Sequence, residues 1–134
     1  MAVSKIKATF TSNIQKVWQT VTDVADYPKW RSDMRATSIL NEKQFVEYTK
    51  NGYATTFSIT RTDPCKRWEF DMENSNMKGH WIGVFTQKGE QTEVCFTEDV
   101  AAKKFWMKPF VKRYLTKQQE QFVADLKIAL QNKA

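Results

Sequence analysis

Hydrophobic spacing changes twice along this chain, and the two changes divide it into three parts. Residues Val3–Phe10 alternate, with Ile6, Ala8 and Phe10 on one face and Lys5, Lys7 and Thr9 on the other. That is the pattern of a half-buried strand at or near a sheet edge. Ser12 then offers a helix N-cap, with Gln15 three residues on to complete a capping box. Ile14, Val17, Trp18 and Val21 follow at i, i+3, i+4, i+7 and put one helical face toward a core. Asp23 offers a cap for a second short helix, with Asp26 at its third position, and Pro28 limits how far it runs. The bend carries Tyr27 and Trp30.

From Arg35 the period falls to two. Candidate strands are Arg35–Leu40, Gln44–Lys50, Tyr53–Thr62, Arg67–Glu73, Met77–Gln87 and Thr92–Asp99. They are joined by turn-forming stretches, of which Asn51-Gly52 is the sharpest and suits a two-residue type I′ hairpin. Short links between successive runs predict an antiparallel meander, seven strands with the first. Trp68, Phe70 and Met72 oppose Arg67, Glu69, Asp71 and Glu73; Tyr53, Phe57 and Ile59 share a face, as do Val94 and Phe96. Met77–Gln87 is apolar on both sides, Trp81 and Phe85 against Ile82 and Val84, so the N-terminal helices are expected to cover part of the second side.

After Asp99 the period returns to 3.6, and Ala101–Gln131 reads as one long amphipathic helix. Phe105–Phe110 is apolar nearly all round; the stripe then narrows to Val111, Leu115, Phe122, Leu126 and Ala129, with Gln118 inside it and Tyr114 on its shoulder. The fold class is therefore α+β: a curled seven-stranded antiparallel sheet gripping a long C-terminal helix, with two short helices after the first strand. Such an arrangement buries the helix stripe and leaves room for a cavity between helix and sheet.

At 134 residues this is expected to be one domain, 1–134. Its 9 Phe and 5 Trp exceed what a core of that size requires, which permits some to line a cavity. No apolar run approaches the ~18 residues of a membrane span, and the N-terminus lacks the apolar block of a signal peptide. The expectation is a soluble cytoplasmic protein with Cys65 and Cys95 as free thiols. A net charge of +6 brings an anionic partner into consideration.

Several chemistries lack their residues. With one histidine, His80, and no Cys-x-x-Cys spacing, no metal site is expected. No nucleophile elbow, Walker or dinucleotide-binding motif occurs, so no cofactor is expected. His80 shares parity with Lys78 and Thr86: it is a solvated or satisfied histidine, or an acid/base if it reaches the cavity. Glu98 shares parity with Val94 and Phe96, so a regular strand points its carboxylate inward, where burial would raise its pKa. Should the strand end by Thr97, Glu98 would instead cap or pair with Lys103 or Lys104. Gln118 and Tyr114 are candidate neutral contacts to a ligand. Glu47 and Arg61 lie on apolar faces but are expected at the surface. Trp30, Phe57, Trp68, Phe70, Trp81 and Phe96 are core residues individually and candidate cavity lining as a set. Lys103, Lys104, Lys108, Lys112, Arg113 and Lys117 run without an acid between Asp99 and Glu120, interleaved with Phe105, Trp106, Phe110 and Tyr114. The run is expected to be a solvated face that binds neither membranes nor nucleic acid, its aromatics taken up by the cavity roof.

The segments Ser12-Asn13-Ile14-Gln15-Lys16-Val17-Trp18 and Asp26-Tyr27-Pro28-Lys29-Trp30 resemble the opening motif of the SRPBCC superfamily, which spans START-type lipid-transfer domains and polyketide cyclase/dehydrase-like proteins. Gly79-His80-Trp81 and Gly89-Glu90-Gln91-Thr92-Glu93-Val94 are similar to its late-strand patterns. The resemblance runs from about Lys5 to Leu130 and is greatest to small stand-alone bacterial members. It implies the helix-grip fold and a hydrophobic cavity between sheet and C-terminal helix. The function expected is binding or carriage of a small apolar molecule. One alternative is a cyclase- or dehydratase-like enzyme with Glu98 or His80 as acid/base and Tyr114 and Gln118 as positioners. A second is a peripheral binder of anionic lipid surfaces. Ligand identity and oligomeric state stay open.

Overall fold

The computed structural model describes residues 2–132; residues 1, 133 and 134 of the expected domain lie outside the described residues. The strands are β1 (Ala2–Phe10), β2 (Met34–Ile39), β3 (Gln44–Thr49), β4 (Ala54–Asp63), β5 (Arg67–Glu73), β6 (Met77–Lys88) and β7 (Gln91–Ala102). They form one antiparallel sheet in the order β1-β7-β6-β5-β4-β3-β2. Each hairpin places neighbours in sequence side by side, and β1 closes the far edge against β7. The chain from β1 to β2 therefore passes across the sheet, carrying helices α1 (Ile14–Thr22) and α2 (Tyr27–Trp30). Helix α3 (Lys108–Asn132) packs on the same inner face, against β1, β7, α1 and α2.

Local chemistry differs from the expectation in four places. The cap of α1 is Asn13, whose Oδ1 accepts the Lys16 N–H at 2.9 Å. Ser12 instead offers its carbonyl to the Thr92 hydroxyl at 2.7 Å, tying the loop to β7. Asp23 makes no side-chain cap; a 3-10 turn, Val24–Asp26, leads directly into α2. At Asn51-Gly52 only Gly52 has a positive φ, +81°, and its N–H bonds to the Thr49 carbonyl at 2.8 Å. Thr49 N–H in turn bonds to the Tyr53 carbonyl at 3.0 Å, so the loop has three residues and a left-handed glycine rather than a type I′ pair.

The fourth difference is the largest. β7 continues to Ala102, and a 3-10 turn, Phe105–Met107, precedes a helix that begins only at Lys108. Pro109 gives the reason. It lacks the N–H a helix interior needs, and is tolerated in the first turn, where that donor is unpaired in any case. The late start leaves Phe105, Trp106 and Phe110 exposed, not buried in the roof.

The core is a sheet of aromatic rings with α1 and α3 laid over it. Phe70 and Trp81 stack at 4.8 Å, Phe45 and Phe57 at 4.9 Å, and Trp81 meets Phe96 at 4.9 Å. Val17 and Val21 of α1 and Leu126 and Leu130 of α3 join the same cluster. Trp18 meets Phe85 edge-on at 5.0 Å, which puts α1 on the inner side of β6. Ile82 and Val84 on the outer side stay half-buried, so the expected covering of that side by the N-terminal helices does not occur.

Candidate functional site

A cavity of about 460 Å³ opens between α3 and the part of the sheet formed by β3–β7. Its floor follows from strand parity. Phe57, Trp68, Phe70, Met72, Trp81 and Val100 all sit on inward positions and line it. Gly83 sets the pose of Trp81: a Cβ there would meet the Trp81 ring at 2.5 Å, so glycine alone lets the ring lie across β6. The helix wall is Tyr114, Leu115, Gln118, Gln119 and Phe122.

Three ionisable groups, each nine-tenths or more buried, are set into this apolar lining: Arg31 at 6 % exposure, Glu47 at 7 % and Glu98 at 7 %. Arg31 follows α2, where a cap bond from its N–H to the Tyr27 carbonyl ends the helix. Its guanidinium bonds Glu47 Oε2 at 2.9 Å and Asp33 Oδ2 at 3.1 Å. It also lies over the Tyr27 ring at 4.9 Å and the Phe122 ring at 5.1 Å. Burial opposes the charge on Arg31, but Glu47 and then Asp33 hold it protonated. Burial pushes the Glu47 carboxyl up, and Arg31 pulls part of that shift back. Removing one member of such a pair strands the other's charge.

Glu98 is placed by β7, which runs straight through it, so the alternative of a cap or a pair with Lys103 or Lys104 is not what forms. It stands opposite Trp81 on one side and Ser4 on the other. Its Oε2 is buried and has no hydrogen-bond partner among the described residues. Burial raises its pKa to about 8, Arg31 lowers it, and Glu47 raises it again. At neutral pH the group is therefore mainly a neutral acid with a proton to donate into an apolar space. Tyr114, 49 % exposed, shares the wall. Its phenol is shifted upward by burial first and by Glu98 second.

Of the residues singled out from sequence, Phe57, Trp68, Phe70, Trp81, Tyr114, Gln118 and Glu98 line the cavity. Trp30 and Phe96 do not. Trp30 packs outside it, edge-on to Tyr27 and Phe122. Phe96 is fully buried beneath Trp81 and Phe122. His80 is on the outer face of β6, where its ring bonds Asp71 at 2.6 Å and Glu69 at 2.8 Å. It does not reach the cavity. Arg61 is exposed and paired with Asp63, whereas Glu47, expected at the surface, is buried.

The sequence reading missed Arg31 and Gln119. Glu47 shared parity with Phe45, and a buried carboxylate needs a cation; that was the signal, but nothing local picks a partner 16 residues away. Gln119 follows Leu115 by one turn and replaces Gln118 at the stripe's buried centre. Its amide bonds the carbonyls of Ser4 at 3.2 Å and Phe96 at 3.1 Å. Asp125, also buried, accepts both the N–H and the hydroxyl of Ser32 at 2.9 Å, fixing α3 against the segment that carries Arg31.

Among the described residues no group of three or more His, Cys, Asp or Glu is placed to hold a metal ion. No helix among them is long and apolar enough to cross a membrane.

A curled sheet holding a C-terminal helix over an internal cavity defines a START-like helix-grip protein. The family model described as "Polyketide cyclase / dehydrase and lipid transport" matches residues 1–131, and the chain belongs to that family. Among solved structures it is similar to a START superfamily protein from Mycobacterium smegmatis, with 13 % identity, TM-score 0.91 and all of both chains covered. It is also similar to a conserved protein from Geobacillus kaustophilus, at 12 % identity and TM-score 0.76, covering 96 % of this chain and 94 % of that one. A third is the di-domain ARO/CYC BexL from the BE-7585A biosynthetic pathway, at 13 % identity and TM-score 0.80. There 95 % of this chain matches 45 % of the larger protein. Identities this low speak to the fold alone. The comparison with curated proteins gave no match.

Proposed function

We propose that this protein binds one small, largely apolar molecule that carries a neutral hydrogen-bonding group. The observation that supports it is the cavity of about 460 Å³, walled by aromatic rings and holding the carboxyl of Glu98, whose buried Oε2 has no hydrogen-bond partner among the described residues. The volume lies within the ~300–1,000 Å³ of small-molecule sites, and mostly apolar walls with a few converging polar groups are their usual make-up. A protonated Glu98 donates to a carbonyl, ether or hydroxyl oxygen, which relieves its own unpaired state. Binding and carriage need no more than this.

The test is titration with a neutral solvatochromic dye such as Nile red, together with native mass spectrometry of the purified protein. One dye per chain is expected. Gly83→Ala, which forces the Trp81 ring off β6, should weaken binding severalfold while the protein stays folded. A folded protein that binds no apolar dye and carries no co-purified molecule would overturn the reading.

One observation favours a second reading. A buried carboxylic acid with a pKa near 8 is also what a general acid needs, and a cyclase- or dehydratase-like step would use Glu98 to protonate a departing hydroxyl, which leaves as water, the carboxylate so formed then taking the proton from the neighbouring carbon as the double bond forms. The similarity to the di-domain ARO/CYC BexL lends this its context. The two readings separate on whether a bound polyketone is recovered unchanged or dehydrated, and on whether Glu98→Gln abolishes that conversion.

A further inference from the structure

The 3-10 turn and first turns of α3 present a surface that the core does not use. Phe105, Trp106 and Phe110 are 81 %, 60 % and 65 % exposed. Tyr114 adjoins these on α3, and the other exposed large apolar side chains lie elsewhere: Val3 on β1, Ile39 and Leu40 at the end of β2, Tyr53 before β4, and Ile128 in the last turns of α3. Lys104 precedes the rings and Arg113 and Lys117 share the side of α3 that carries Phe110, while Lys108 and Lys112 lie on the far flank of the helix; all five are exposed, with no acid between Asp99 and Glu120. Among the described residues these five have no ion-pair partner, whereas Lys103 bridges Glu73 at 2.7 Å. The patch continues into the cavity wall, because Tyr114 and Lys117 belong to both.

We propose that this surface docks the protein on an anionic lipid bilayer, with the cavity mouth beside the docked face. Aromatic rings at the headgroup level and lysines reaching phosphate are the chemistry of interfacial binding. A second copy of the chain fits poorly, since a two-fold contact would set the five cations against their own counterparts. Nucleic acid would satisfy the cations but has no use for an apolar wall leading from the rings into a cavity. The docking rests on the exposed patch and not on the identity of any ligand, so its failure leaves the cavity reading standing.

Co-sedimentation with vesicles tests it. The protein should pellet with phosphatidylcholine containing about one-third phosphatidylglycerol and stay in solution with phosphatidylcholine alone. Binding should fall as salt rises from about 0.1 M to about 1 M, over which the screening length shrinks from about 10 Å to about 3 Å. The double variant Lys104→Gln/Arg113→Gln should bind roughly 25-fold more weakly, at about fivefold per cation lost. Trp106→Ser/Phe110→Ser should weaken binding at low salt, and neither pair should alter the circular dichroism or the dye titration. No pelleting with anionic vesicles at about 0.1 M salt would overturn the proposal. So would unchanged binding by both double variants, a dimer in the ultracentrifuge that either pair dissolves, or binding to oligonucleotides alone.

Discussion

The two faces of β5–β7 carry glutamates of the same kind, Glu98 inside and Glu69 outside, and they behave in opposite ways. On the inner face Glu98 is pushed up to about 8 by burial. On the outer face Glu69 is pulled below the usual carboxylate range, first by its hydrogen bond from His80 and then by that from Arg67. The residue type is the same; what differs is whether water or a cation meets the carboxylate. Inside, the two terminal nitrogens of Arg31 bond Glu47 and Asp33, and among the described residues neither its buried Nε nor Glu98 Oε2 has a hydrogen-bond partner. Outside, Arg61, Arg67 and His80 converge on Glu69. Parity decides which carboxylates are buried; a cation within reach, as Arg31 is for Glu47, decides which of them are partnered, and Glu98 Oε2 has no partner among the described residues.

The comparison breaks most readily at Glu47. Glu47→Ala leaves the Arg31 guanidinium in the cavity wall with only the half-exposed Asp33, and should cost about 3–5 kcal/mol in urea or thermal unfolding. Loss of less than about 1 kcal/mol would mean that water already reaches the pair. Glu47→Gln, which keeps a hydrogen-bond acceptor, should cost less than the alanine.

Glu98 should show itself next, through pH. Its folded pKa lies above the unfolded value near 4.5, so between those limits the folded state holds a proton that the unfolded chain has lost. Stability therefore falls as pH rises from about 4.5 to about 8, by at most about 1.4 kcal/mol per pH unit, and levels off above. Glu98→Gln, a permanently neutral isostere, should remove that slope and leave the variant more stable than the parent at pH 9. An unchanged slope would mean that Glu98 is ionised and hydrated in the folded protein.

The outer face should give the smallest effect. Burial works against the His80 imidazolium, but Asp71 and Glu69 outweigh it and raise its pKa. Its contribution is fully present below the unfolded value of about 6.5 and is lost as pH rises through the folded one. With a third of the side chain exposed, His80→Ala should cost less than about 1 kcal/mol at pH 5 and close to nothing at pH 9. Dye binding should not change, since His80 does not reach the cavity.

Much of this was legible in the chain because hydrophobic period is a local property. The change to period two near Arg35, the clean alternation of Trp68, Phe70 and Met72, and the stripe after Val111 determined the strands, the meander from β2 to β7 and the long helix; that β1 pairs with β7 was not legible there. Parity with Val94 and Phe96 offered an inward Glu98, but the end of the strand was not legible, and it is the continuation of β7 to Ala102 that puts the carboxyl inside. The start of α3 was written in Pro109, and the apolar run around it concealed that stop.

Tertiary structure decided the rest, because it depends on residues far apart in the chain. The partner of Glu47 comes from the loop after α2, and Gln119 on α3 reaches carbonyls of β1 and β7. Whether the aromatic floor packs solid or leaves a cavity depends on how far α3 stands from it, a distance that no local spacing encodes. The same holds for Phe105, Trp106 and Phe110. Their residue types favour burial, but a helix that starts at Lys108 and is anchored by Val111 and Leu115 leaves no sheet for them to meet. Local periodicity determines which side of an element is apolar; only the packed fold determines whether anything covers it.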